Sequence, residues 1–502
     1  MELNKSKMFK IGTRGSLLAV TQSQITQKQI QEKTGLDFTI ETIKTQGDVI
    51  TDKPLWQLEG KDFFTKELDA SLLLKKIDLV IHSYKDLGSE RPEGIETACI
   101  TKRLFPHDIL LIKKSRLNAI PNLQEFLVGT SSPRRIVNLE ANLCEYLPHF
   151  KGSVKTKMLR GNVNTRIEKL LDDQFDAITL AFAGLERLAL KKDSREKLKE
   201  LVQDLTFMIL PTKDFPPAAS QGALAIETNV ESTELKNQLS LLNDVRTIEE
   251  IKRERAAFQS YGGGCHLAVG VFVKKIQDYF LHIHRGEVDG KPIFKRELEG
   301  VNYDPIRGKS AYYLFKDFDF LIEKKNSGVK TQEGHLFVTS SHCIENIDQY
   351  DTLWAAGNRT MKQLASRGHW VCASAEGFGH SEIEAFQESE LLKLMIPKKD
   401  WFVLSHDEAQ SEVGKNINCY QRIVRDQPRN NDHRLDLMLE SDIIYWSSYK
   451  QFEVYTKNFP ELKTKIHCAG LGKTLKKLKK KGIDVIPVID MNHLKEICNL
   501  EG

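Results

Sequence analysis

Short apolar runs alternate with stretches of helical spacing in several parts of the chain. The run MFKIGT at 8–13 predicts a strand, and RGSLLAVTQSQITQKQI then continues at helical spacing. A second strand is predicted at 126–131, FLVGTS, after which Ser132 is a candidate helix N-cap and Pro133 takes the first helical position. The stretch MLRGNVNTR at 158–166 leads into a third helix, IEKLLDDQ. This alternation indicates an α/β fold.

Arginine recurs at the starts of these predicted helices. The first helical turn leaves N–H groups unpaired and carries the positive end of the helix dipole, so a cation is unfavourable there. A solvated charged face explains a single arginine of this kind, but recurrence at several strand-to-helix corners favours bound anions. The arginines at these corners, counting AGLERL as a fourth corner, are Arg14, Arg134, Arg135, Arg160, Arg166 and Arg187.

The sequence favours a polycarboxylate over a nucleotide as the anion. No G-x-G-x-x-G follows the first predicted strand, and LGKT at 471–474 has His467 where a P-loop requires glycine. The guanidinium fork of arginine binds a carboxylate through two parallel hydrogen bonds. We therefore expect a ligand that carries several carboxylates.

The stretch DLVIHSYKDLGSE at 78–90 places two opposite charges at the end of a predicted buried strand. Lys85 and Asp86 are adjacent at its carboxyl end, which is where open α/β sheets bind ligands. A surface ion pair is the alternative interpretation, and such a pair contributes about 0–1 kcal/mol. A carboxylate at this edge can instead stabilise a positive charge that develops during a reaction.

Composition narrows the class of protein. A chain of 502 residues with 28% charged and 40% hydrophobic residues predicts a globular protein of roughly three to four domains. The sequence has neither an N-terminal apolar signal core nor a run of 18 apolar residues, so we expect a cytoplasmic protein that contacts no membrane. A net charge of +4 does not demand nucleic acid, and KTLKKLKKKG at 473–482 suits an amphipathic helix with a lysine-rich solvent face.

Cysteine usage singles out one thiol. The eight cysteines form no C-x-x-C pair and no Cys/His ligand spacing, so we expect neither a metal site nor a disulfide framework. Cys265 differs from the others because it follows three glycines in SYGGGCHLAVG, 260–270. Glycine allows a backbone to approach a bulky ligand closely and to adopt positive φ angles.

Seven motifs, in this order, resemble those of hydroxymethylbilane synthase, also called porphobilinogen deaminase: TRGS, HSYKD, GTSSPRR, LRGNVNTR, LAFAGLERL, SQGALAIE and ERAAF…GGGC. The similarity covers about 8–325. It implies an α/β fold of two doubly wound lobes, like those of solute-binding proteins, plus a small α+β domain. The implied divisions are 8–105 with 205–240 for lobe 1, 106–204 for lobe 2 and 241–325 for the cofactor-anchoring domain, with crossing connections near 105 and 205.

The resemblance also implies a chemistry. In that family a dipyrromethane cofactor, made from the substrate, is attached to the cysteine of the glycine-rich turn, which is Cys265 here. Asp86 is the expected catalytic residue, with Lys85 beside it, since its carboxylate would stabilise cationic intermediates as porphobilinogen loses ammonia. Four rounds give a linear tetrapyrrole that water releases as hydroxymethylbilane. The residues expected to bind cofactor and substrate are Arg14, Ser16, Lys61, Ser83, Lys85, Thr130, Ser131, Ser132, Arg134, Arg135, Arg160, Gly161, Asn162, Arg166, Arg187 and Gln221.

Further expectations come from the same family. Lys61 lies at the end of a loop, about 47–60, that is expected to be mobile, although a static solvated loop is the alternative. A monomer that acts on a small molecule is implied. The sequence departs from the family pattern at Tyr84, at Pro133 and in AASQGA. None of these departures removes a charged group, so they affect the shape of the substrate channel rather than the activity.

Residues 330–502 contain two similar stretches of sequence. HLFVTSSHCIENI…LWAAGNRTMKQLASRGHWV is followed by the similar IIYWSSYKQFEVY…IHCAGLGKTLKKLKKKGIDVI, so two α/β lobes are predicted. This pattern resembles uroporphyrinogen-III synthase, which would cyclise hydroxymethylbilane, and Tyr420 matches a candidate acid of that family. The usual first strand has no room between Val329 and His335, so an active but shortened synthase and an inactive remnant both stay open. The residues that carry the resemblance are Thr339, Ser340, Ser341, Gly357, Asn358, Thr360, Ser447, Ser448, Gly472 and Thr474.

Two other classes of protein rank below a bifunctional synthase. A non-catalytic two-lobed binding protein would share the sheets and the anion corners, but it would need neither Asp86 nor a modified Cys265. A thiol hydrolase would use Cys265 as its nucleophile, yet it needs a positioned base. His266 would point to the opposite face if this segment is a strand.

Overall fold

The computed structural model describes residues 8–45, 65–88, 90–264, 267–314, 319–425 and 433–499. The chain divides into two compact units. Unit 1 consists of Met1–Val273, Ile283–Lys295 and Glu388–Pro397, and unit 2 consists of Lys274–His282, Arg296–Gln387 and Lys398–Gly502.

The first sheet of unit 1 has the order β2-β1-β3-β10-β4, and β10 runs antiparallel to both of its neighbours. Strands β1 and β3 are parallel, which places the residues after Thr13 and Ser83 at one edge of the sheet. Ile11, Leu79 and Ile226 pack with Ile30 of a covering helix in one apolar cluster. The strands are β1 Phe9–Thr13, β2 Phe38–Thr42, β3 Leu79–Ser83, β4 Ile95–Ile100 and β10 Leu224–Asn229; the helices are Leu17–Thr34, Lys66–Leu73, Thr233–Leu239 and the one-turn Tyr84–Asp86 and Ser240–Leu242.

The second sheet has the order β7-β6-β8-β5-β9. Ile109 to Ile112 of β5 are all fully buried, as expected for a strand with both faces covered by helices. The strands are β5 Asp108–Lys113, β6 Glu125–Gly129, β7 Ser153–Lys157, β8 Ala177–Ala181 and β9 Leu205–Ile209; the helices are Pro133–Asn142, Val163–Leu171, Phe182–Leu190 and Lys192–Val202, with 3-10 turns at Lys114–Asn122 and Leu143–Tyr146.

The chain crosses between these two sheets twice. It leaves the first sheet after Ile100 and returns to it at Leu224. Strand β9, Leu205–Ile209, pairs with β5 in the second sheet, so this stretch lies in lobe 2 and not in lobe 1 as the sequence predicts. The second crossing therefore follows Ile209.

A helix and a three-stranded sheet follow the two lobes. The helix Val245–Ser260 begins with an Asp244 cap, whose carboxylate accepts a hydrogen bond from the Thr247 amide at 2.8 Å. The sheet has the order β11-β12-β13, with β11 Ala268–Ile276, β12 Tyr279–Val288 and β13 Lys291–Glu299.

Unit 2 contains two further sheets with the orders β14-β21-β22-β23 and β15-β20-β19-β16-β17-β18. The strands of these sheets are β14 Ala311–Tyr313, β15 Ile322–Asn326, β16 His335–Val338, β17 Thr352–Ala355, β18 Val371–Ser374, β19 Trp401–His406, β20 Lys415–Val424, β21 Ile443–Trp446, β22 Ile466–Gly470 and β23 Ile486–Val488. The helices in this part of the chain are Asn358–Ser366, His380–Gln387, Leu392–Met395, His433–Glu440, Tyr449–Asn458, Lys473–Lys480 and Met491–Asn499, with 3-10 turns at Asp304–Ile306, Ser341–Asn346 and Pro460–Thr464.

The two sheets of unit 2 begin earlier in the sequence than expected. Strand β14 pairs in parallel with β21, and β15 pairs antiparallel with β20. Ala311–Tyr313 and Ile322–Asn326 therefore belong to these sheets, although the sequence analysis assigned residues up to 325 to the cofactor-anchoring domain. Both strands precede Val329, after which the sequence left no room for one before His335.

None of the helices in the described part of the chain is both long enough and apolar enough to span a membrane.

Gly270 of β11 allows a close approach of two backbone segments. A Cβ atom at this position would lie 2.2 Å from the Pro216 carbonyl oxygen, and the next amide, Val271 N–H, donates to the Pro217 carbonyl at 3.1 Å. We expect Gly270→Ala to lower the free energy of unfolding by about 2 kcal/mol or more, because backbone must move to admit the methyl group. The shift of the urea midpoint, followed by circular dichroism, measures this loss.

Gly184→Ala is the matched control. Its Cβ would meet only Leu18 Cδ2 at 3.5 Å, an ordinary contact, and alanine favours the helix Phe182–Leu190 by about 1 kcal/mol over glycine. Equal midpoints for the two variants would contradict the assigned contact.

Candidate active site in unit 1

Lys85 and Asp86 lie in a single 3-10 turn, Tyr84–Asp86, directly after β3. Lys85 Nζ donates a hydrogen bond to Gln221 Oε1 at 3.2 Å. Burial lowers the pKa of Lys85 to about 8, an effect that Asp86 partly opposes and the nearby Arg135 reinforces. Asp86 is exposed, so the turn presents an accessible carboxylate beside a partly buried ammonium group.

Asp108, at the start of β5, is the anionic centre of the site. Its carboxylate accepts hydrogen bonds from Arg134 Nη1 at 2.7 Å, from Arg135 Nη2 at 2.7 Å and from Gln221 Nε2 at 2.9 Å. Burial alone would raise the pKa of Asp108, but the two arginines hold it well below its usual range. Asp108 is therefore ionised, and through Gln221 it is linked to Lys85.

The positive charges around Asp108 outnumber its single negative charge. Arg134 and Arg135 occupy the first turn of the helix Pro133–Asn142 and are both buried, and burial lowers the pKa of Arg134. The remaining contacts of their Nη1 atoms are to backbone carbonyls, those of Pro216 and Thr179. Arg135 Nε is buried without a hydrogen-bond partner. These cations fit an anionic ligand.

The third predicted corner lies beside the second. Burial, together with the charges of Arg135 and Arg160, lowers the pKa of Arg166 to about 10, so these three guanidinium groups are neighbours. The Asn162 side chain caps the helix Val163–Leu171 by accepting from the Thr165 amide at 3.0 Å.

Two small residues shape the loops of these corners. Gly161 has φ 118°, and a Cβ there would lie 2.8 Å from Thr165 Cγ2. Ser131 Oγ donates to the Leu159 carbonyl at 2.7 Å and accepts from the Leu159 amide at 3.1 Å, which ties the loop after β6 to the loop before Arg160. Thr130 and Ser132 lie in the same loop, and Thr130 Oγ1 accepts weakly from the Ser132 amide at 3.4 Å.

The first predicted corner belongs to lobe 1. Ser16 caps the helix Leu17–Thr34 by accepting from the Ala19 amide at 3.3 Å, and Arg14 precedes this cap. Ser83, next to the turn of Lys85, shares a hydrogen bond of 3.0 Å with Gln22 of the same helix.

Arg187 does not lie at a helix start. The helix Phe182–Leu190 begins directly after β8, so Arg187 falls in its last turn and the fourth predicted corner is wrong. Its Nη2 donates to the Gly222 carbonyl at 2.6 Å, and burial lowers its pKa to about 10. Gly222 follows Gln221, which places Arg187 beside the hydrogen-bond network of Lys85.

The predicted cofactor attachment site, Cys265, lies outside the described residues, as do Lys61 and the loop 47–60. The three glycines before Cys265 all have positive φ, with 103° at Gly262, 62° at Gly263 and 95° at Gly264. These angles agree with the expectation that this turn requires glycine.

Two residues that the sequence analysis did not single out are important here. Asp108 precedes an apolar strand and shows no local signal of its two arginine partners. Arg255 lies in the quoted ERAAF motif, and its guanidinium donates to the Leu87 carbonyl at 3.2 Å and the Gly88 carbonyl at 2.7 Å. It also lies 4.6 Å from the centre of the Tyr84 ring. Arg255 therefore holds both ends of the turn that carries Lys85 and Asp86.

A buried group near β3 has the composition of a metal site. One ligand atom from each of Asp69, His82 and Glu227 lies within 4.8 Å of the others. Arg91 donates to Asp69 at 2.6 Å and to Glu227 at 2.7 and 2.8 Å. The guanidinium therefore supplies the positive charge that these two carboxylates require.

In unit 2, Tyr420 lies among predicted residues of the first C-terminal lobe. Its hydroxyl hydrogen-bonds the Ser340 side chain, and burial raises its pKa despite that bond. The ring centre of Tyr420 is 5.3 Å from that of His342. Thr339 Oγ1 donates to the Leu404 carbonyl at 2.8 Å.

The residues of the second C-terminal lobe cluster at the end of β21. Ser448 and Gln451 form a reciprocal capping box at the start of the helix Tyr449–Asn458. Thr474 Oγ1 donates to the Ser447 carbonyl at 3.3 Å. Cβ atoms at Gly357 and Gly472 would lie 4.0 and 3.4 Å from the backbone of Gly377, so loops from both lobes approach there.

Comparisons with known proteins match the N-terminal part of the chain. The family model described as "Porphobilinogen deaminase, dipyromethane cofactor binding domain" matches residues 9–237. Porphobilinogen deaminases of Helicobacter hepaticus and Prochlorococcus marinus are each 36% identical over 299 and 308 residues. These matches cover 59% and 60% of this chain and 86% and 90% of the relatives.

The porphobilinogen deaminase of Lachnospira eligens is 35% identical over 312 residues, which is 61% of this chain and 98% of that protein. Among solved structures, an extracellular-binding protein of an amino-acid ABC transporter from Bacillus subtilis covers 50% of this chain at 12% identity. The match covers 97% of that binding protein, and its TM-score of 0.27 is too low to support a conclusion about the fold. The identity to the deaminases and the extent of their coverage are decisive: the chain belongs to the porphobilinogen deaminase family, whose matched domain binds the dipyrromethane cofactor.

Proposed function

We propose that this protein polymerises four molecules of porphobilinogen to hydroxymethylbilane with release of ammonia, and that Cys265 carries the dipyrromethane primer. One observation supports this most strongly. A cluster of buried cations around Lys85 and Asp108 adjoins the exposed carboxylate of Asp86. The cations suit the acetate and propionate groups of pyrroles, and the carboxylate suits a cationic reaction centre.

The chemistry of the donor set fits a ligand with several carboxylates. Arg135 Nε is buried with no partner, and Arg166 and Lys85 have pKa values lowered chiefly by burial. An unpaired buried donor and poorly solvated cations gain from an added anion. When bound, dipyrromethane supplies the free pyrrole carbon to which each new unit is added. The side chains proposed to hold its carboxylates are Arg14, Ser16, Ser83, Lys85, Thr130, Ser131, Ser132, Arg134, Arg135, Arg160, Arg166 and Arg187, with Gly161, Asn162 and Gln221 shaping the site.

Asp86 is the proposed catalytic group. Its carboxylate lowers the energy of positive charge that develops as ammonia leaves the substrate, which is electrostatic stabilisation by a preorganised group. Arg255 fixes the backbone on the C-terminal side of Asp86 through the carbonyls of Leu87 and Gly88, so the carboxylate need not be oriented during the reaction.

We expect Asp86→Asn to leave folding and the Cys265 adduct largely intact while lowering turnover by about 100-fold or more, because the amide carries no negative charge. Ammonia release measures turnover, and the intact mass of the denatured protein, with peptide mapping around Cys265, measures the adduct. Two linked pyrrole units on Cys265 in the wild-type protein are the required result for the proposed function.

Arg116→Lys is a suitable control, since Arg116 Nε donates to Asp176 Oδ1 at 2.8 Å and contacts neither the residues around Lys85 nor the segment 388–397. Wild-type turnover by Asp86→Asn would remove the role assigned to Asp86. An unmodified Cys265 in freshly made, active wild-type protein would instead remove the covalent primer and favour a non-covalent binding site.

Lys85 provides a pH-dependent step in substrate binding. Its pKa of about 8 lies below the ordinary value of a lysine, so its charge is present below pH 8 and is lost as the pH rises through 8. We expect kcat/KM for porphobilinogen to fall above an apparent pKa of about 8, since this ratio reports groups of the free enzyme. Lys85→Arg keeps its charge and should move this fall to a higher pH. A fall at the same pH in this variant would assign the titration to another group.

We propose further that residues 311–502 cyclise hydroxymethylbilane to uroporphyrinogen III, with Tyr420 as a candidate acid. The contact of Tyr420 with Ser340 and the approach of Gly357 and Gly472 to one backbone segment support this proposal. The second candidate is an inactive remnant in an enzyme that only deaminates. A single chain that holds both activities would raise the effective concentration of the unstable intermediate.

The isomer produced from porphobilinogen distinguishes these two candidates. Hydroxymethylbilane closes spontaneously to the type I isomer, so we expect the full-length protein to give mainly type III porphyrin after oxidation. Tyr420→Phe should raise the type I fraction without changing ammonia release, because the deaminase residues are unaltered. Mostly type I product from the wild-type chain would identify a remnant.

We also propose a cytoplasmic monomer that needs neither nucleic acid nor membrane. The cysteines in the described ranges are all free thiols, which suits a reducing compartment.

A further inference from the structure

A short segment from the C-terminal third of the sequence is part of unit 1. Residues Glu388–Pro397 belong to this unit, and the stretches on both sides of them belong to unit 2. Leu391 and Leu392 of the segment are fully buried. Its short helix, Leu392–Met395, packs against the helix Lys192–Val202 of lobe 2.

Glu186 is the residue to which this segment is attached. Its carboxylate accepts hydrogen bonds from Ser389 Oγ at 2.5 Å, from the Glu390 amide at 2.9 Å and from the Leu391 amide at 3.0 Å. Only 4% of Glu186 is exposed. Burial of a carboxylate is costly unless hydrogen bonds replace its water, and the segment supplies three of them.

A second pair of contacts strengthens this attachment. Arg195 Nη1 donates to Glu390 Oε2 at 2.6 Å and to the Ala189 carbonyl at 2.9 Å. The same guanidinium therefore contacts the segment and the last turn of the helix Phe182–Leu190. Through its contacts with Glu186 and Arg195, the segment is therefore attached to the C-terminal half of the helix Phe182–Leu190.

One of the matched relatives, the deaminase of Lachnospira eligens, lacks room for such a segment. The deaminases correspond to the N-terminal 55–60% of this chain, and the match to the Lachnospira eligens enzyme already includes 98% of that protein. A buried Glu186 that is bonded to residues 389–391 is therefore a feature of the longer chain.

The helix that carries Glu186 also carries a residue of the candidate active site. Arg187, the next residue, donates to the Gly222 carbonyl at 2.6 Å. Gln221, which precedes Gly222, forms hydrogen bonds with both Lys85 and Asp108. Three hydrogen bonds and two links between adjacent residues, Glu186–Arg187 and Gln221–Gly222, thus connect Ser389 with Lys85.

We propose that the segment Glu388–Pro397 supports the deaminase active site, acting through Glu186 and Arg187 on the Gln221–Gly222 peptide. The segment acts as a positioning element, since it touches none of the groups proposed to contact substrate. This inference rests on the proposed deaminase function, but its structural part can be tested without turnover.

The test uses the full-length protein and two substitutions. Ser389→Ala removes the hydroxyl donor, and Glu186→Gln removes the charge while keeping the volume of the side chain. We expect both variants to accelerate amide hydrogen exchange at Glu390 and Leu391 and also at Gln221 and Ala223, by about tenfold, and to lower kcat/KM for porphobilinogen by about tenfold. The pH at which kcat/KM falls should shift as well, because the hydrogen bond from Lys85 to Gln221 is disturbed.

Ser366→Ala is the matched control. Ser366 Oγ donates to the Gln363 carbonyl at 2.8 Å at the exposed end of another helix, so its loss should leave all these readouts unchanged. Faster exchange at Glu390 and Leu391 with unchanged exchange at Gln221 and Ala223 would overturn the proposal. So would rapid exchange of the Glu390 and Leu391 amides in the wild-type protein.

A different pattern identifies failure of the proposed function. One such outcome is that the wild-type protein releases no ammonia while the variants accelerate amide exchange both in the segment 388–397 and at Gln221 and Ala223. In that case the segment does support the Gln221–Gly222 peptide, and the proposed deaminase function is wrong. A general loss of stability would accelerate exchange throughout unit 1, including Ile109 to Ile112 of β5, which also contradicts a local support.

Discussion

The buried carboxylate of Asp108 organises the candidate active site of this protein. It faces Arg134 and Arg135 from a helix start and Gln221 from the connection between the lobes. Two guanidinium groups in a site with little water repel each other, and the carboxylate between them lowers that energy. Without this carboxylate, the repulsion between the two guanidinium groups would disfavour their close approach. The two guanidinium groups still carry one more charge than this carboxylate, and Arg135 Nε has no hydrogen-bond partner among the described residues.

Lys85 and Asp86 are adjacent in the sequence but have different surroundings. Lys85 faces inward to Gln221, whereas Asp86 faces outward. The turn that holds them is fixed by Arg255, which lies on the helix that leads to the glycine-rich turn. The position of Asp86 and the start of the glycine-rich turn therefore depend on the same helix. Such a connection fits the proposal that the product grows while one end stays attached to Cys265.

Local signals in the sequence predicted local structure well. Ser16 and Asn162, in the motifs TRGS and LRGNVNTR, cap their helices with hydrogen bonds to the backbone. Ser132, the predicted N-cap, does precede a helix that begins at Pro133, but its side chain makes no capping hydrogen bond. Arg187 was misplaced because the helix of AGLERL begins at Phe182, with Ala181 before it and no capping side chain to mark the start.

Long-range partners could not be read from the sequence. Asp108 meets arginines 26 and 27 residues away, Glu186 meets Ser389 at a separation of 203 residues, and β9 joins the sheet of β5 and not that of β10. Each depends on how the chain folds back, and neither spacing nor composition carries that information. The similarity to a known family names candidate site residues but not these supports.

Because β14 and β15 precede residue 330, they affect where the chain can be divided into two separately expressed fragments. A boundary drawn at residue 330 would leave Ala311–Tyr313 and Ile322–Asn326 with the first product and deprive β21 and β20 of their partners. Both would become unprotected sheet edges with free N–H and C=O groups, which invite pairing with other chains. The shortest C-terminal fragment with complete sheets begins before Ala311, close to the end of β13.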